Sequence, residues 1–241
     1  MDSAGARAHD PSARERERLD FAVAFAALAL LALWDLSGLD LLIVRAFGNA
    51  GGFPLQDAFV PSMLLHEGGR WISYLLFAWV LVNAVRPLPS SIALPREQRW
   101  YWFGVTIVCL ALTPTLKYFS LTSCPWDLAE FGGRAQNVSH WRFGVADGGP
   151  GRCFPAGHAS GAFGFIGGYL ALRSRHAMAA RRWLTGVLAL GVLFGITQTA
   201  RGAHYPSHSM YTAWLCWTAS AFAYHWRPWR SKPAASPGSR A

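Results

Sequence analysis

Charge is what this sequence has least of. Only 15% of its 241 residues are Asp, Glu, Lys or Arg, against roughly 25% in an ordinary soluble domain. The acidic sign is the scarcer one, with 13 Asp and Glu against 22 Lys and Arg. No carboxylate-rich ligand set therefore accompanies the histidines, and neither a metal nor another cofactor is expected. The net charge of +9 gathers on no single basic face or helix, which argues against a nucleic-acid partner. A short basic leader with a small-residue cleavage site is also missing. The first twenty residues mix Arg with Glu (Arg14-Glu15-Arg16-Glu17-Arg18), so Phe21 onward reads as a retained membrane anchor. Neither an internal repeat nor a second soluble domain is evident.

What fills the chain instead is apolar: 52% of the residues are hydrophobic and 12 are Trp. A spanning helix needs about 20 mostly apolar residues, and six stretches approach that. They run from Phe21 to about Val44, Ile72 to Val85, Trp100 to Leu116, His158 to Leu172, Trp183 to Thr199, and Ser209 to Trp226. The second and fourth are short and must borrow flanking residues. Trp71, Trp100, Trp183 and Trp226 mark ends as interfacial aromatics do. The expected fold is therefore an all-α integral membrane bundle of six helices. Residues 1–20 form a polar N-terminus, 21–226 the membrane domain, and 227–241 a disordered tail.

Positive charge orients the bundle. Alternate loops carry it: Arg7, Arg14, Arg16 and Arg18; Arg86, Arg96 and Arg99; Arg173, Arg175, Arg181 and Arg182; Arg227, Arg230, Lys232 and Arg240. By the positive-inside rule both termini are cytoplasmic. The long polar loop 118–157 then faces outward, to the periplasm of a bacterial inner membrane. Of the four cysteines, Cys109 and Cys216 lie inside apolar runs and read as packing residues. Cys124 and Cys153 lie in the polar loop, either as a disulfide, if that side is oxidising, or as two free thiols. Asp35 and Asp40, in the second half of the first span, are expected to face water or a polar seam.

Three stretches with chemistry in them fall on that outer side: Lys117 to Pro125, Phe154 to His158, and Arg201 to His208. Cleaving a phosphate ester without a metal requires an in-line nucleophile, a proton for the leaving oxygen, and fixed positive charge with N–H donors around the equatorial oxygens. Lys117 and Arg201 supply charge. The backbone around Gly157 supplies donors at a helix start. His158 and one of His204 or His208 supply an acid and a nucleophile. Taken singly, each has a plainer role: a boundary Lys or Arg as a snorkelling anchor, a boundary His as a structural hydrogen-bonder.

Together they resemble the type-2 phosphatidic acid phosphatase superfamily, whose signature is Lys-x6-Arg-Pro, then Pro-Ser-Gly-His, then Ser-Arg-x5-His-x3-Asp. Here the motifs are Lys117-x6-Cys124-Pro125, Pro155-Ala156-Gly157-His158, and Arg201-Gly202-Ala203-His204-Tyr205-Pro206-Ser207-His208. The resemblance covers roughly Trp100 to Trp226. It implies a lipid phosphatase working through a phosphohistidine on His204, with His158 protonating the leaving oxygen and His208 orienting the nucleophile. His208 as the nucleophile is the alternative. The implied substrate is a phosphorylated lipid: a lipid A phosphate, undecaprenyl diphosphate, phosphatidylglycerophosphate or phosphatidic acid. A lipid phosphotransferase and a non-catalytic binder of anionic head groups are the other readings.

Four departures stand out. Cys124 replaces an arginine, Ala156 a serine, and His208 the orienting aspartate. Arg201 precedes His204 by three residues where the family has six. Arg152 or Arg134 from the outer loop is expected to compensate for the lost phosphate ligands. With an imidazole in place of the carboxylate, activity is expected to fall through roughly pH 6 to 7.

Overall fold

The computed structural model describes residues 11–87, 93–142 and 144–226. Within them the chain is helical, with no strand among the described residues. Helix α1 spans Pro11–Ser37 and α2 spans Leu39–Arg45. Gly38 separates them in the left-handed region, at φ 71°. A wide π-helical stretch, Val60–Glu67, runs directly into α3, Gly68–Val85. Helix α4 covers Arg96–Phe119, α5 Gly157–Phe163, α6 Gly167–Leu172, α7 Ala177–Ala200 and α8 Pro206–His225.

Four of these segments are long and apolar enough to cross a membrane: Arg14–Ser37, Val60–Val85, Arg96–Phe119 and Ala177–Ala200. Their outward faces carry large apolar side chains, among them Phe25, Leu30, Trp71, Leu75, Val108 and Ile196, all exposed. Water would not tolerate so continuous an apolar exterior; the protein is membrane-embedded. The first segment starts earlier than its apolar run, because the helix already begins in the charged N-terminal stretch. The second gains its length from the π-helical stretch that precedes the apolar run from Ile72.

The other two expected spans look different. The stretch from His158 to Leu172 is broken in two: around Gly164 the amides of Phe165 and Ile166 bond to Ala162 and Phe163 carbonyls, tightening the chain between α5 and α6. Helix α8 is rich in Ser, Thr, Tyr and Trp. Both occupy the interior, where α5 packs on α3, α4, α7 and α8, and α8 packs on α1, α4, α5, α6 and α7. Their core includes Trp102, Phe163, Phe165, Ile166, Leu170 and Ala221. Helices enclosed this way need no apolar outer face. The tail expected to be disordered, 227–241, lies outside the described residues.

At the opposite end from the α6–α7 turn, a second apolar cluster of Val44, Phe53, Leu128, Phe131, Ala135 and Tyr205 caps the bundle. Arg45 fastens this cap to Glu130 by two hydrogen bonds of 2.6 and 3.0 Å. Deep at the other end, Arg173 donates to both oxygens of Asp20 at 2.6 and 2.5 Å, and His225 Nε2 lies 2.7 Å from the same carboxylate. That buried cluster ties α6 and α8 to α1.

Candidate active site

Helix α4 ends, α5 begins, α7 ends and α8 begins at the capped end of the bundle, so the three sequence motifs meet there. Backbone bonds join them. The Cys153 amide donates to Thr122 O at 2.9 Å, Trp126 N to Gly202 O at 3.0 Å, and Ala156 N to His208 O at 3.2 Å. Thr212 Oγ1 reaches both Ala156 O and His208 O, at 3.0 and 2.9 Å. Cys124 and Cys153 form a disulfide, 29 residues apart in sequence. Where the family places an arginine, this chain has a crosslink between its first and second motifs.

The turn from α7 to α8 sets the histidines. Gly202 takes φ 74°, and a Cβ there would stand 2.4 Å from the Phe53 ring. The amides of Ala203 and His204 then fold back onto Gln198 O at 2.9 and 3.3 Å. Pro206 opens α8 at a position where its missing N–H costs nothing. Asp40 of α2 holds the turn from outside, accepting from Ser207 N at 3.0 Å, from the Ser207 hydroxyl, and from Trp34 Nε1 at 2.9 Å. Asp35 accepts from Tyr211 OH at 2.6 Å and from the Trp141 indole, and His140 Nε2 lies 3.3 Å away. The two aspartates of the first span thus face a polar seam that anchors α8.

His204 and His208 stand one helical turn apart with their Nδ1 atoms at 3.4 Å. One ring must donate and the other accept. His208 is fully enclosed, 0% exposed, with its Nε2 buried and without a hydrogen-bond partner among the described residues. His204 keeps 4% of its surface open. Both rings are buried, and His208 is the more enclosed of the two. Burial first, then the charges of Lys117 and His158, hold the His204 imidazole well below the ordinary histidine value. Burial and then His204 and His140 depress His208 likewise. Both rings are neutral at pH 7. Burial disfavours the protonated form of both rings, because solvent does not stabilise it there.

Lys117, near the end of α4, is half-buried, and its Nζ lies 4.0 Å from where a Cβ would stand on Gly157. His158, next on α5, packs between His66 (ring centroids 4.5 Å, nearly parallel) and Phe194 (4.6 Å). Its Nε2 is buried and unpartnered among the described residues. Gly69 makes this possible, since a Cβ there would sit 2.6 Å from Phe194 and 3.2 Å from His158 Nε2. Arg201 spends its Nε on Gln56 O at 2.8 Å and lies close enough for its charge to act on both His66 and His158. Arg152 is exposed and its guanidinium lies 4.7 Å over the Tyr118 ring, so it has a partner other than the histidines. Arg134 is exposed.

Two residues here escape sequence reasoning. His66 sits in the π-helical stretch, outside the three motifs. Gln198 is 3% exposed with its Nε2 unpartnered among the described residues. It lies one turn after Phe194 and nearly one turn before Arg201, on the α7 face that meets His158. It also stands six residues before His204, which is where the resembled motif has its arginine.

Among the described residues, Cys124, Cys153 and His204 bring potential ligand atoms within 4.8 Å of one another. The two sulfurs are bonded to each other and offer no thiolate to a metal.

The family model of the PAP2 superfamily matches residues 99–232, more than half of the chain. No curated protein and no solved structure matches it. The chain belongs to the PAP2 superfamily.

Proposed function

From that membership we propose that this protein removes phosphate from a membrane lipid, without a metal, at the periplasmic face of a bacterial inner membrane. The observation that carries the reading is the buried His204–His208 pair, with Nδ1 atoms 3.4 Å apart, close enough to Lys117 for its charge to act on both rings. His204 Nε2 attacks phosphorus while its Nδ1–H is held by His208. His158 protonates the leaving oxygen. Lys117, Arg201 and the open backbone at Gly157 neutralise and hold the equatorial oxygens, and Arg152 contributes charge from the loop. Water then cleaves the phosphohistidine.

The topology proposed with it has six crossings: the four long apolar helices, the α5–α6 pair and α8, with both termini cytoplasmic. The arginine distribution over alternate loops supports it. An apolar cleft of about 860 Å3 between α1, α7 and α8 supports a lipid substrate. Thr199, Pro206 and Ser209, which flank the His204 turn, line one end of it. The cleft suits a hydrocarbon chain whose head group is held at His204.

Purified protein is tested on phosphatidic acid, phosphatidylglycerophosphate, undecaprenyl diphosphate and a lipid A phosphate. Phosphate release into water is the expected result. Transfer only when an acceptor lipid is added would make the protein a phosphotransferase. Neither release nor transfer, with retained lipid binding, would make it a head-group binder and contradict the proposal.

A further inference from the structure

The end of the bundle that holds the α6–α7 turn contains a cavity that the phosphate chemistry does not use. Its volume is about 800 Å3, and residues of α3, α4, α6 and the start of α7 line it; cavities of this size accept small molecules and lipid head groups. One wall is built of three indoles. Trp79 lies nearly parallel to Trp183 with ring centroids 5.8 Å apart, and Trp102 meets them edge-on at 5.5 and 4.8 Å respectively. Gly168 of α6 makes room for this packing, since a Cβ there would stand 2.4 Å from Trp183 Nε1 and 2.5 Å from Trp102 Cζ2. Trp183 spends its Nε1–H on Phe165 O at 2.9 Å. Two other lining residues carry polar atoms that are buried and have no partner among the described residues: the donor Trp102 Nε1 and the acceptor Asn83 Oδ1. Both side chains belong to residues only 2% exposed. A buried donor and a buried acceptor beside one cavity need a molecule that supplies both. Arg182 lines the outer side, exposed and without an ion-pair partner among the described residues. None of the described residues that line the cavity is acidic.

We propose that this cavity binds a phospholipid with an anionic, hydroxyl-bearing head group, at the opposite end of the bundle from the His204 site. The guanidinium of Arg182 holds the phosphate as a fork of N–H donors. A head-group hydroxyl gives Asn83 the donor it lacks, a lipid oxygen gives Trp102 its acceptor, and an acyl chain lies against the Trp79 ring. Arg175 and Arg181, both exposed, add positive charge at the same turn. Basic pockets between membrane helices recognise anionic head groups by this combination of charge and apolar wall. Charge decides between lipid classes. A zwitterionic head group would bring a cation of its own to Arg182, in a cavity whose described lining offers no carboxylate to receive it.

The proposal does not depend on which lipid is dephosphorylated, because the probe, phosphatidylglycerol, carries no phosphate monoester. Purified full-length protein in detergent micelles is titrated with phosphatidylglycerol or with phosphatidylcholine, and bound lipid is counted by native mass spectrometry. The parent should bind phosphatidylglycerol at least about 10-fold more tightly, the value of a hydrogen bond to a charged group. Arg182→Gln should remove that preference; the residue is exposed, so the fold survives the change. Asn83→Leu should weaken phosphatidylglycerol binding by roughly 2- to 10-fold. Ala179 lines the cavity, and Ala179→Trp, which fills it, should abolish the binding. Lys117→Ala, at the other end of the bundle, should bind as the parent does. Equal affinity for the two lipids in the parent, or no binding, would overturn the proposal. So would a preference that survives Arg182→Gln, or binding that survives Ala179→Trp. Loss of binding in Lys117→Ala with retention in Arg182→Gln would put the lipid at the phosphate site instead and overturn it as well.

Discussion

Acid should unfold this protein through the two histidines it keeps neutral. His204 and His208 both sit well below the ordinary histidine value in the folded state, mainly by burial. In the unfolded chain they titrate near pH 6.5. Above that value both states are neutral and folding carries no penalty. As pH falls below it, the unfolded chain takes up protons that the native chain refuses, so stability is lost until the folded-state values are reached. Each such group contributes a slope approaching 1.4 kcal/mol per pH unit, so the pair should cost about 2 kcal/mol between pH 6 and 5. A His208→Asn variant removes one titrating ring and keeps a polar atom toward His204. Its loss over the same interval should be smaller by about 1 kcal/mol. The assay is reversible unfolding in mixed detergent micelles, read by tryptophan fluorescence at several pH values. Identical pH slopes for parent and variant would refute the reasoning, since the native rings would then be protonated as readily as the unfolded ones.

Other perturbations probe what holds the site. Asp40→Ala strips the acceptor from Ser207 N, the Ser207 hydroxyl and Trp34; it should destabilise by about 3 kcal/mol and lower turnover with it, and Asp40→Asn should recover part of both in thermal melts and phosphate assays. Asp20→Ala leaves Arg173 and His225 without their shared carboxylate, and should cost about 3–5 kcal/mol. Glu130→Ala breaks an exposed pair with Arg45 and should cost no more than about 1 kcal/mol; equal melting shifts would contradict this ranking. Gln198→Leu removes a buried unpartnered donor beside the site, and should lower kcat/KM by roughly 10- to 100-fold, the value of a hydrogen bond to a charged group, with the melting temperature held.

The parts of this architecture that touch lipid or carry charge were legible from the residues. Lys117, His158, Arg201 and His204 stand out because each is a polar group at the edge of an apolar run. Their alternation with arginine-rich loops brings them to one end before any coordinate is known. The interior was less legible. Helix α8 and the α5–α6 pair pack against several neighbouring helices, so their sequences carry small and polar residues that a hydropathy pattern reads as short or weak spans. Gln198 lies within an apolar run, where a single amide gives no period and no motif. His66 follows a Gly- and Pro-punctuated stretch, and its place against His158 depends on a π-helical path that side-chain spacing does not announce. Asp40 reads only as a polar residue late in a span; that it holds the His204 turn depends on a contact 167 positions along the chain.

The central claim is that His204 carries the phosphoryl group and His208 orients it. The direct measurement is acid-labile, base-stable phosphohistidine on the purified protein after rapid mixing with a radiolabelled lipid phosphate, mapped by peptide mass. The account predicts label on His204 in the parent, none in His204→Ala, and slower labelling, still on His204, in His208→Ala, with His208→Asp faster than His208→Ala. Label on His208, or unchanged labelling in His204→Ala, would contradict it.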